Sequence, residues 1–200
     1  NEIHVGYDRP PQAYLDIIND LNQAFVDTVR AKGGNNSGRV LVLPGYNTDI
    51  DHTITGFVAP TDTVPDRLIL SVHYYTPYTF ALNGSPSVWG TGYPGADNWG
   101  QEDYVLAQFD RLQRTYVEQG IPVILGEYGA TNVQGFENYR RYYMEYVTKA
   151  AADRGIIPVY WDNGGLGSGA ENFGLFNRSS DTVAHPTMLE AMMRAVTSDY

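Results

Sequence analysis

The sequence predicts an α/β fold assembled from β/α units on a parallel sheet. Three observations carry that prediction. Short apolar runs at residues 39–43, 67–73, 121–125 and 156–161 have the length and Val/Ile/Leu content of strands buried on both faces. Around them lie segments whose apolar residues recur every three or four positions, the period of an amphipathic helix. Three of these segments hand over to an apolar run through glycine, at Gly33-Gly34, Gly120 and Gly155, where helices commonly stop.

Taken in order, residues 3–12 read as a loop broken by Gly6, Pro10 and Pro11. A helix follows over 14–32, with Ile18, Leu21, Phe25 and Val29 at helical spacing. The run from Arg39 to Leu43 is a strand, and Pro44-Gly45 its exit turn. Residues 46–66 are mostly loop, with a short helical turn near Asp51. The strand at 67–73 runs into Tyr74 and Tyr75, and a loop over 79–101 carries Trp89, Tyr93 and Trp99. Loops of that length inside a domain are usually functional. A helix over 103–119 lines up Val105, Phe109, Leu112 and Tyr116. Pro122 then opens the third strand, as proline suits a first strand residue. A helix over 137–154 presents Tyr139, Tyr143, Tyr146 and Ala150 on one face. The fourth strand ends in Trp161-Asp162-Asn163, a glycine-rich loop crosses to Arg178, and a helix over 185–196 closes the chain with Leu189, Met192 and Val196 inward.

Composition narrows the function. A net charge of −10 argues against a nucleic-acid partner, which needs a basic face. No apolar run approaches a membrane span. With no cysteine, disulfides and thiolate metal sites are excluded. Sixteen tyrosines and three tryptophans against 18% charged residues supply flat apolar faces with polar edges, which match the mixed surfaces of sugars.

In parallel β/α folds, chemistry gathers at the carboxyl ends of the strands. Those ends carry Pro44-Gly45-Tyr46, His73-Tyr74-Tyr75, Gly126-Glu127-Tyr128-Gly129 and Trp161-Asp162-Asn163. Asn1-Glu2 joins them if the chain starts at the end of a preceding strand. Two glutamates walled by aromatic rings suit glycoside hydrolysis, in which one carboxylic acid protonates the leaving oxygen and the other carboxylate attacks the anomeric carbon. His4, His52 and His185 read as structural or exposed, and no pair of them has metal-ligand spacing, so no metal is expected.

These segments, together with Gly33-Gly34-Asn35-Asn36 and read in order, resemble glycoside hydrolase family 5, the cellulase family, and within it the endoglucanase and xyloglucanase branch. The resemblance implies a (β/α)8 TIM barrel, of which residues 1–200 would be the C-terminal half of one catalytic domain, strands five to eight. It implies a retaining endo-β-1,4-glucanase, with cellulose, mixed-linkage glucan or xyloglucan as substrate and no cofactor. Glu2 would be the acid/base and Glu127 the nucleophile, with carboxyl groups roughly 5 Å apart. Asn1 would meet the sugar 2-hydroxyl, Tyr75 would donate to Glu127 and orient it, and His73 would line the −1 subsite. Trp161 would be the stacking floor, and Asn163 would add a polar contact. Trp89 and Trp99 read equally as sugar platforms or as loop anchors. The first four strands lie outside the chain, so the missing N-terminal half-barrel or a second copy is the implied protein partner. Secretion follows from the resemblance; no leader is visible. Two rivals remain: a mannanase or xylanase on the same scaffold, and a non-catalytic half-barrel that binds glucans or serves as an interaction module. An aldolase-type barrel lacks a strand-end lysine.

Overall fold

Four strands form one parallel sheet in chain order: β1 (Leu41–Pro44), β2 (Leu68–Tyr74), β3 (Val123–Tyr128) and β4 (Ile156–Tyr160). The computed structural model describes residues 1–198. The helices are α1 (Gln12–Ala31), α2 (Ile50–Gly56), α3 (Tyr78–Ala81), α4 (Glu102–Thr115), α5 (Glu137–Ala152) and α6 (Pro186–Thr197). The predicted alternation is therefore present. What the sequence did not signal is a small antiparallel pair, β5 (Phe176–Asn177) with β6 (Thr182–Val183), inside the glycine-rich crossing to α6.

Side chains alternate across the sheet, and the two faces differ. Leu41, Leu43, Leu70, Val72, Val123, Leu125 and Ile156 all point to one face and are 2% exposed or less. Most of them pack with Val105, Phe109 and Leu112 of α4, with Tyr143, Met144 and Val147 of α5, and with Met188 and Met192 of α6. Leu41 and Leu43 pack instead with Val26 of α1. On the opposite face Val42, Ile157 and Val159 are 46%, 54% and 44% exposed. Helices thus cover one face only, the arrangement of a barrel segment and not of a doubly wound sheet.

The two flanking helices depart from their predicted faces. In α1, Leu15, Ile18, Asn22 and Val26 are buried, whereas Leu21 and Phe25 are turned outward. These two line an apolar cavity of about 560 Å³ with Ile3, Val42 and Ile124. In α6, Met188, Ala191, Met192 and Ala195 are inward and Val196 is exposed. By contrast, Val105, Phe109, Leu112 and Tyr116 along α4 are all buried as predicted. The reason is position: α4 is enclosed by the sheet, α2 and α5, while α1 lies beside the edge strand β1 and α6 has α5 as its main neighbour.

Candidate active site

A bulge in β3 builds the site. Val72 pairs with Leu125, but the next residue, His73, pairs with Glu127, so Gly126 is the extra residue. The register against β4 slips over the same stretch, from Leu125–Pro158 to Tyr128–Tyr160. A bulge bends its strand and re-aims the following side chain. Here it turns Glu127 toward the carboxyl end while Tyr128 stays buried, its hydroxyl paired with that of Thr148 at 2.7 Å. Glycine at the bulge leaves room for its neighbour: a Cβ on Gly126 would lie 2.3 Å from Ser71 Oγ, so that hydroxyl would have to turn away.

The end of β2 supplies the partners. His73 Nδ1 lies 2.7 Å from Glu2 Oε1 and 3.5 Å from Glu127 Oε2, with its own side chain only 7% exposed. Asn1 Nδ2 donates to Glu127 Oε1 at 2.8 Å, and Tyr75 Oη donates to Glu127 Oε2 at 3.1 Å. Each carboxylate oxygen of Glu127 thus accepts a hydrogen bond. Burial first, and then the charge of Glu127, push the Tyr75 phenol far above its ordinary range, so it remains a donor. The Phe173 ring meets the Tyr75 ring nearly edge-on, at 5.9 Å between centroids.

Ligand atoms of Glu2, His73 and Glu127 lie within 4.8 Å of one another. Among the described residues this is the one trio able to hold a metal ion, although the sequence pointed to none. Spacing along the chain could not reveal it, because its members come from three separate segments. Beside the two carboxylates opens a cleft of about 210 Å³, lined also by Tyr75, Trp161, Leu82, Phe173 and Glu171. The Trp161 backbone N–H donates to Tyr128 O at 3.1 Å, and the residue is 40% exposed.

Asn1, Glu2, His73, Tyr75, Glu127 and Trp161 therefore converge. Asn1 and His73 contact the carboxylates without lining the cleft, and three further predicted residues stand apart from the cluster. Trp89 is fully buried, donates Nε1–H to Gly100 O at 2.8 Å and packs edge-on against Tyr143; it anchors the 79–101 loop and offers no platform. Asn163 is absorbed by its own loop. Its Oδ1 accepts from the N–H groups of Gly165 and Phe173, and its Nδ2 donates to Glu171 O. Trp99 is half-exposed against Tyr104 and does not line the cleft. Sequence reading missed Leu82, Phe173 and Glu171. The last two lie in the glycine-rich crossing, where no periodicity marks them.

Asp162 fixes that crossing to the end of β4. Its carboxylate accepts from the N–H groups of Gly164, Leu175 and Phe176 and from Arg178. Partial burial works to raise its pKa, but these donors prevail and hold it below the usual carboxylate range. Arg140, nearly buried, donates to Ala130 O and to the Tyr160 hydroxyl beneath the loop.

A one-sided parallel sheet with two carboxylates and an aromatic wall at its strand ends is the arrangement of a (β/α)8-barrel glycoside hydrolase. Residues 1–167 match the Cellulase family, glycosyl hydrolase family 5, and the chain belongs to that family. Endoglucanase A of Paenibacillus barcinonensis is 41% identical over 216 residues, covering 98% of this chain and 54% of that protein. A family 5 xyloglucanase from Paenibacillus pabuli superposes with a TM-score of 0.88 at 40% identity, covering 96% of this chain and 58% of that one. A family 5 lichenase from Caldicellulosiruptor sp. F32, solved with cellotetraose, gives 0.83 at 36% identity, covering 92% and 50%. The chain spans about half the length, or less, of the curated relatives it matches.

Proposed function

We propose that the protein carrying this chain is a retaining endo-β-1,4-glucanase acting on unbranched or xylosylated β-glucans, with Glu127 as nucleophile and Glu2 as acid/base. The observation that carries the reading is the trio: both carboxylates reach the same histidine, within 4.8 Å of one another, at the mouth of an aromatic-walled cleft. That proximity supports the close carboxyl spacing of retaining enzymes over the wider spacing of inverting ones.

In the first step the Glu127 carboxylate attacks the anomeric carbon as Glu2 passes its proton to the departing glycosidic oxygen. A covalent sugar ester results. In the second, Glu2 takes a proton from water, which cleaves the ester and restores both groups. Tyr75 and Asn1 hold the nucleophile by one oxygen each, so its attack direction is set before substrate arrives. Trp161 offers a stacking face to the apolar side of a sugar ring. The relatives' substrates, xyloglucan and a cello-oligosaccharide, support a β-glucan. The exposed apolar face of the sheet supports a second half-barrel covering it, and action on a polysaccharide supports secretion. Among the described residues no helix is long and apolar enough to cross a membrane.

The test is Glu127→Gln in the complete polypeptide, assayed on a soluble mixed-linkage β-glucan. Hydrolysis is expected to fall by about a thousandfold or more while cello-oligosaccharide binding persists. Retained hydrolysis would overturn the assignment. Proton NMR of the first products should show the β-anomer; an α-anomer would refute retention.

A further inference from the structure

Glu171 occupies a backbone conformation that its residue type rarely adopts. Its φ is +59°. Of the other non-glycine residues at positive φ, Asn47, Asp66 and Asp181 belong to the types that tolerate it, and Thr48 is a buried residue whose hydroxyl bonds to Asn47 O. Glu171 is exposed and gains no comparable contact. Residues held this way persist where the surroundings over-determine them, and they cluster at ligand sites.

The surroundings here do over-determine it. Asn163 Nδ2 donates to Glu171 O at 2.9 Å. On the other side, Asn132 N–H donates to Asn172 O at 2.7 Å, and Asn172 Oδ1 accepts from Gly167 N–H at 2.7 Å. Phe173 N–H donates to Asn163 Oδ1 at 3.2 Å. The backbone on both sides is pinned, while the Glu171 carboxylate has a single long contact, 3.5 Å to Asn163 Nδ2. That carboxylate belongs to a residue lining the same cleft as Glu2, Glu127 and Trp161.

We propose that Glu171 is a substrate-binding residue, held in a strained backbone so that its carboxylate accepts hydrogen bonds from hydroxyls of the glucosyl unit lying on Trp161. A carboxylate offers two acceptor oxygens, which suits a vicinal diol, and charged acceptors bind hydroxyls more strongly than neutral ones. The assignment also gives Asn163 its part: it contacts no sugar but sets the Glu171 backbone. The proposal rests on reading the cleft as a glucan site, and the test separates the two.

The experiment uses the complete polypeptide in an inactive Glu127→Gln background, with cellotetraose as ligand and calorimetric titration and thermal unfolding as readouts. Measurable binding by the background protein is expected. Adding Glu171→Gln should weaken it about tenfold, since a charged acceptor is replaced by a neutral one and one of its two acceptor oxygens becomes a donor. Adding Glu171→Gly should weaken it at least as much while leaving the unfolding midpoint unchanged or higher, because glycine adopts φ +59° without strain. Unchanged affinity in both variants would overturn the role of Glu171 and leave the glucan reading intact. A lower midpoint with unchanged affinity would likewise make Glu171 purely structural. No binding by the background protein would overturn both.

Discussion

Apolar residues of the same types on the two faces of the sheet meet different fates. Leu125 and Val72, facing the helices, are fully buried, while Val42 and Ile157, on neighbouring strands and facing the other way, are about half exposed. Nothing in the side chains separates the two sets. The difference is what lies opposite: α4, α5 and α6 pack on one side, while on the other Ile3, Leu21 and Phe25 approach across an open cavity. The same contrast recurs in the helices, where α4 buries its whole apolar stripe and α1 leaves Leu21 and Phe25 outside. Apolar patterning therefore marks both faces for burial, and the folded chain delivers that burial on one.

This contrast can be broken by mutation. Leu125→Ala should destabilise the chain by about 2–5 kcal/mol in urea unfolding, since it opens a cavity in a packed face. Ile157→Ala should cost less than about 1 kcal/mol, because its side chain is half in water. Equal costs would mean that the open face is covered in solution.

A second pair compares the sheet's buried face with the cleft at its end. Tyr75→Phe removes the donor to Glu127 Oε2, so the proposed hydrolytic activity of the complete polypeptide should drop about 10- to 100-fold with little change in stability. Tyr128→Phe removes the hydroxyl paired with Thr148, so stability should fall by about 1 kcal/mol with activity kept. If the two variants behaved alike, the separation of core from cleft would fail.

A milder probe adds charge to the open face. Val42→Lys with Ile157→Lys should abolish binding of a hydrophobic fluorescent dye and shift stability by less than about 1 kcal/mol. The smallest effect concerns acid. Asp162 has a depressed pKa in the fold, so its contribution is present above the unfolded value, about 3.9, and is lost as pH falls through the folded value. Asp162→Asn should therefore flatten the decline of unfolding free energy below about pH 4, measured against the parent chain.

Much of this was legible beforehand because it depends on local pattern. Glycine stops at Gly120 and Gly155, the apolar period of α4, and the Val-Ile-Leu run before Glu127 each specify an element without distant help. Glu127, His73, Tyr75 and Trp161 stood out as well, since strand ends are where a parallel fold collects its chemistry, while Glu2 was reached through the family resemblance. Trp89 stayed open because exposure is not written in a side chain: an indole in a long loop serves equally as platform or anchor, and burial against Tyr143 decided for anchor. Asn163 misled for a related reason, its amide being taken by backbone groups that arrive from up to ten residues further along the chain.

By itself, then, the sequence determined the order of helices and strands, the parallel sheet and the position of Glu127 at a strand end, because periodicity and turn chemistry act over a few residues. Only the tertiary structure decided which apolar face is covered, the slip at Gly126 that brings Glu127 beside His73, and the approach of Glu171 to the cleft. Each of these depends on what a segment distant in sequence places opposite, and close packing, not local preference, sets that.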